Sequence, residues 1–110
     1  MGVMLVFDVD GTLECGDPRG PVRLESLRAL KAENFVVGIV GAYEKVQKRV
    51  PSLDFYYDGD PHKDENLRKV MEEYKPKLAF YVADRPSDRE VALKNGFCYV
   101  RPEDFTLPQS

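Results

Sequence analysis

The chain has 110 residues, 19 acidic and 16 basic, with a net charge of −3 and 43 % hydrophobic residues. That is enough for one domain with one core, and a single domain over 1–110 is expected. The acidic balance argues against nucleic acid as a partner, since binders of that class carry a basic excess to neutralise phosphates. No apolar run approaches the roughly 18 residues that span a bilayer, and the N-terminus shows no basic region followed by an apolar segment. The expectation is therefore a cytoplasmic protein with no membrane partner. Cys15 and Cys98 belong to no C-x-x-C pattern, so they are read as two reduced thiols, with Cys98 a small core residue in an apolar run.

In chain order, Val3 to Phe7 (VMLVF) is an apolar run with no polar alternation, which reads as a central parallel strand covered on both faces. It ends in Asp8-Val9-Asp10-Gly11-Thr12. Side chains two apart on a strand share a face. While the backbone stays extended, Asp8 and Asp10 thus project into one crevice, and Val9 turns away with its N–H free for a phosphate. Two carboxylates that close repel unless a cation separates them or one keeps a proton. Hard oxygen ligands with open positions suit Mg²⁺ paired with a substrate phosphate. A calcium loop does not fit, because Thr12, Leu13 and Arg19 fall where that pattern needs Asp or Asn, Gly and Glu.

Residues 14–21, rich in Gly and Pro, make a short irregular flap. Val22 to Lys31 carries Leu24, Leu27 and Leu30 on one stripe, a helix. Phe35 to Val40 (FVVGIV) is a second buried strand ending at Gly41-Ala42, and strand, helix, strand implies a right-handed crossover to a parallel neighbour. Tyr43 to Arg49 reads as a helix whose start, at Gly41 and Ala42, offers backbone N–H groups to phosphate. Lys45, Lys48 and Arg49 on it read as a solvated face. Asp54 to Asp58 (DFYYD) suits an edge strand.

Lys63 opens an amphipathic helix marked by Leu67, Val70, Met71 and Tyr74; Asp64 and Glu65 at its start and Lys75 near its end match the dipole. His62 reads as a loop residue. Leu78 to Ala83 is a fourth strand, followed by Asp84-Arg85-Pro86-Ser87-Asp88. Ser87 and Glu90 form a capping box, with Asp88 an acid in the first helical turn. Asn95-Gly96 stops that helix. Phe97 to Val100 is a fifth strand, and Phe105 and Leu107 pin the tail. The whole is an α/β Rossmann-like three-layer sandwich around a parallel sheet of about five strands, and ligands in such sheets sit beyond the C-terminal strand ends at the switch point.

Asp8-Val9-Asp10-Gly11-Thr12 resembles the first motif of the haloacid dehalogenase-like superfamily, in its phosphatase branch. The resemblance runs from Val3 to about Val100 and implies the strand order 3-2-1-4-5. Residues 14–21 and 42–61, where that family inserts lid domains, are too short for one, so no cap domain is expected. Asp8 would be the nucleophile that becomes an aspartyl-phosphate, and Asp10 the acid and base. The third motif is a Lys at a helix start that screens the charge shared by nucleophile and phosphate; Lys63 is assigned to it, with Lys69, Lys75 and Lys77 as competitors. Asp84 and Asp88 resemble the fourth motif, Ala83 standing where Gly is common. Asp84 would complete a metal site with Asp8 and the Asp10 carbonyl, supported by Asp88. The chief departure is Gly41, where the family places a Ser or Thr hydroxyl on the phosphate. Losing one hydrogen bond to a charged group costs about one to two powers of ten in binding or rate.

The expected activity is a Mg²⁺-dependent phosphohydrolase acting on a phosphorylated small molecule or an exposed phosphate of a macromolecule, with a second copy of the chain as a means of closing an open site. The alternative is a degenerate member that holds Mg²⁺ and phosphate without efficient turnover, as an interaction or regulatory module. A response-regulator receiver fits poorly: it carries its phospho-accepting Asp on the third strand, where this chain has only Asp54 and Asp58 at the margins.

Overall fold

The computed structural model describes residues 2–105. Its strands are β1 (Val3–Phe7), β2 (Val36–Val40), β3 (Phe55–Tyr57), β4 (Leu78–Val82) and β5 (Cys98–Val100). Between them run α1 (Leu24–Ala32), α2 (Glu44–Gln47), α3 (Lys63–Tyr74) and α4 (Pro86–Lys94), with a 3₁₀ turn over Pro102–Asp104 at the end. All strand pairs are parallel, in the order β3-β2-β1-β4-β5. The sheet has no inserted domain, and among the described residues no helix is long and apolar enough to cross a membrane.

The alternation of β1 divides the core. Leu5, Phe7 and Val9 pack with Leu24, Leu27 and Leu30 of α1 and Val46 of α2 on one face. Met4 and Val6 pack with Leu67 and Val70 of α3 and Ala92 of α4 on the other. This parity positions the site. Asp8 continues the row of Met4 and Val6, so it leaves the strand on the α3/α4 side. Phe7 is level with Ile39 of β2 and with Val82 of β4, so the three central strands end at one height.

Several boundaries differ from the sequence reading. The helix read over Tyr43 to Arg49 shrinks to the single turn α2, in which only Val46 is buried; one buried side chain offers little packing to offset the cost of nucleating a longer helix. Lys75 lies beyond the last turn of α3, capping it with left-handed backbone at φ 44° before Pro76. The capping box of Ser87 and Glu90 does not form. Arg85 is the N-cap, without a side-chain bond, and Pro86 fills the first helical turn, where its fixed φ and missing N–H are accommodated. Cys98 is exposed because it lies on the outermost strand, on the face opposite Tyr99, which packs against the α3/α4 core. Phe105 packs edge-on to Phe7, with 5.2 Å between ring centres; Leu107 lies outside the described residues.

Leu27 is fully buried at the centre of the α1 stripe. Leu27→Ala is expected to lower unfolding free energy by about 2–5 kcal/mol, through lost transfer energy plus the cavity left behind, measured by urea denaturation.

Candidate active site

The C-terminal ends of β1, β2 and β4 open into a crevice of about 700 Å³, lined among others by Asp8, Asp10, Gly41, Lys63, Asp84 and Arg85. Its floor is a buried charge cluster. Lys63, the first residue of α3, is 2 % exposed, as is Asp88 in the first turn of α4. The Lys63 ammonium donates to Asp88 Oδ1 at 2.6 Å and lies 3.8 Å from Asp8 Oδ1. Arg85 reaches the same Asp88 through Nε at 3.4 Å and ties it to Asp60 through Nη2 at 2.7 Å. Of the four lysines in competition, Lys63 is the one in the crevice. Lys69 instead stacks its ammonium on the Tyr57 ring at 4.4 Å.

Asp8, Asp84 and Asp88 each present a carboxylate oxygen, all within 4.8 Å of one another. Three carboxylates this close carry more negative charge than the Lys63 ammonium balances. Burial pushes the Asp8 carboxyl up to about 6, against the lowering pull of Lys63 and of the Val9 N–H beside it. A hard divalent cation is the partner this donor set fits, as oxygen ligands at one open corner of a polar crevice. Asp8, Asp84 and Asp88 would hold it. The Asp10 carboxylate lies outside this triad.

Two glycines make room for the cluster. Gly11 has φ +78°, and a Cβ there would overlap the Asp84 carboxylate. Gly41 follows β2, and a Cβ there would stand 2.5 Å from Asp8 Oδ1 and 3.1 Å from the Val9 nitrogen. The Gly41 N–H is taken by the Tyr57 carbonyl at 2.9 Å, so what Gly41 contributes to the crevice is space. The Ala42 N–H donates to no protein group among the described residues and lines the crevice. Val9 buries its side chain in the α1/α2 core, and its N–H beside the Asp8 carboxylate favours the charged form of that group.

Asp8 and Asp10 share the crevice but not a face. The strand ends at Phe7, and the Thr12 and Leu13 N–H groups both turn back onto the Val9 carbonyl, at 3.0 and 2.8 Å. That turn swings Asp10 to the α2 side, where its Oδ1 accepts from the Lys45 ammonium at 2.6 Å and from the Asp17 N–H at 2.9 Å. Burial is the largest single influence and raises the Asp10 carboxyl, but Lys45 and the Asp17 N–H together outweigh it and hold it below the usual range. Sequence reasoning missed Lys45, Arg85 and Asp60. Lys45 sits in a run of charges with no visible partner, and the Lys45–Asp10 and Arg85–Asp60 bonds depend on packing between distant segments. Cys15 is half-buried against the α1/α2 core and does not line the crevice.

Comparison with family models, with curated proteins and with solved structures finds no match to this chain.

The cluster makes two substitutions act in opposite directions. Lys63→Met leaves the buried Asp88 with only the longer Arg85 contact at 3.4 Å and should cost about 3–5 kcal/mol. Asp8→Asn removes the excess carboxylate and should stabilise the metal-free chain at pH 7 by roughly 1–3 kcal/mol. Asp8 binds its proton more tightly folded (about 6) than unfolded (3.8). Its contribution to stability is therefore fully present below pH 3.8 and lost as pH rises through about 6. The advantage of Asp8→Asn should vanish at pH 4, as measured by thermal melts in a chelator across that range.

Proposed function

We propose that this chain is a capless haloacid dehalogenase-like phosphatase, Mg²⁺-dependent and working through an aspartyl-phosphate. The observation that carries the reading is the convergence of Asp8, Lys63, Asp84 and Asp88, from three separated segments, on the C-terminal ends of the central strands. An Asp8 oxygen attacks the phosphorus of a monoester and the bond to the leaving oxygen breaks, leaving an acyl phosphate on Asp8. Asp10 gives the leaving oxygen its proton, then takes one from the water that attacks the same phosphorus. The bond to Asp8 breaks and inorganic phosphate departs, leaving Asp8 again a carboxylate and Asp10 again protonated. Lys63 and the Ala42 N–H stabilise charge on the phosphoryl oxygens through preorganised donors. Asp8, Asp84 and Asp88 would hold the divalent cation, which when bound would supply charge neutralisation to the phosphoryl group.

The missing hydroxyl at position 41 favours a second reading, a module that binds Mg²⁺ and phosphate without turnover. Hydrolysis of an aryl phosphate and a panel of phosphorylated metabolites, with and without Mg²⁺, separates the two. The expected result is metal-dependent turnover that Asp8→Asn lowers by about three powers of ten or more. Gly41→Thr should lower it as well, since its Cβ must compete with Asp8 Oδ1 for one place. Turnover that survives Asp8→Asn would sink the mechanism. Mg²⁺ binding without turnover in the native chain would establish the binding module.

A further inference from the structure

We infer that Lys45 is a positioning residue for Asp10, holding the acid–base carboxylate against the flap so that one oxygen is committed and the other is presented to the leaving group. The inference rests on the phosphatase reading and deepens it. The clamp is asymmetric. Both donors, the Lys45 ammonium at 2.6 Å and the Asp17 N–H at 2.9 Å, go to Oδ1 of Asp10. Oδ2 accepts no bond from the protein among the described residues, and Asp10 lines the crevice. Its side chain is 41 % exposed, so without the clamp the carboxylate would rotate in solvent, and a proton donor works only within hydrogen-bond reach of the atom it serves.

The parts that hold the clamp come from elsewhere in the fold. Asp17 belongs to the flap, which is itself fixed to the turn by the Gly11 N–H on the Pro18 carbonyl at 2.7 Å. It is fixed to α1 by the Leu24 N–H on Glu14 Oε2 at 2.7 Å. Lys45 stands on α2, whose Val46 is buried in the α1/α2 core. Lys45 therefore comes from the opposite face of the sheet to Lys63, and the two ammoniums serve different carboxylates. An exposed ion pair of this kind adds little to stability, so the effect of Lys45 belongs to catalysis.

The test compares native chain, Lys45→Met, Lys45→Arg and Lys48→Met on an aryl phosphate and an alkyl phosphate, with Mg²⁺. The aryl leaving group departs without protonation, whereas the alkyl one needs the acid. Lys45→Met should lower kcat/KM about tenfold or more on the alkyl ester, and clearly less on the aryl ester. Lys45→Arg should restore much of the loss, since a guanidinium also donates to a carboxylate. Lys48→Met, which removes an equal charge from an exposed neighbour, should leave both esters unchanged, and the melting temperature should be the same for all four chains. Native turnover with Lys45→Met unimpaired, or impaired equally on both esters, overturns the inference alone. A native chain that hydrolyses neither ester overturns the phosphatase reading and this inference with it.

Discussion

The site depends on one buried ammonium. Lys63 is as buried as a core leucine, and its nitrogen sits 2.6 Å from Asp88 and 3.8 Å from Asp8. A charge so placed is tolerated only when paired and hydrogen-bonded. Asp88 and Lys63 meet that condition for each other, from the first turns of two different helices. The Lys94 ammonium and the Asn95 amide on α4 both bond Asp64 of α3, at 2.8 Å each, which keeps the two helices in the relation that lets Lys63 and Asp88 meet.

That arrangement explains why glycine stands at position 41. The end of β2 and the end of β1 are level, so a side chain at 41 and the Asp8 carboxylate claim the same volume. With Asp8 turned toward Lys63 and the end of β2, a side chain at position 41 would have to displace the Asp8 carboxylate from its place. The same contest is settled at Gly11 in favour of Asp84. In both places a carboxylate occupies room that a side chain would fill: Gly41 lines the crevice itself, and Gly11 lies against the Asp84 carboxylate that does.

The strands were the most legible part of the sequence. VMLVF, FVVGIV and LAFYVA are apolar without alternation, which is what a strand buried on both faces requires, and each was readable to within a residue. The carboxylates at their ends were readable for the same reason, since a polar residue directly after a buried strand has few places to go. What stayed hidden depends on contacts between segments far apart in the chain. Nothing in EKVQKR marks Lys45 as the lysine that bonds Asp10 while Lys48 and Arg49 face solvent. Ser87 has the spacing of a cap to Glu90, but Pro86 already starts the helix. Cys98 has apolar neighbours, yet it is exposed because its strand is the last in the sheet. That depends on strand order, which local pattern does not encode.

Asp8 and Asp10, separated by one residue, are driven apart in character by the turn between them. Asp8 stays in line with Met4 and Val6, enters the buried side of the crevice and has its proton affinity raised by desolvation. Asp10 is swung out to the flap, where two donors favour its charged form. Two identical side chains one residue apart thus have surroundings that push their proton affinities in opposite directions, Asp8 up and Asp10 down. The division follows from where the strand stops: had β1 run two residues further, both carboxylates would lie on the α3/α4 face beside Lys63, adding a fourth negative group to a cluster already in excess. Ending the strand at Phe7 leaves Asp8 in the buried cluster and lets Asp10 meet a different cation.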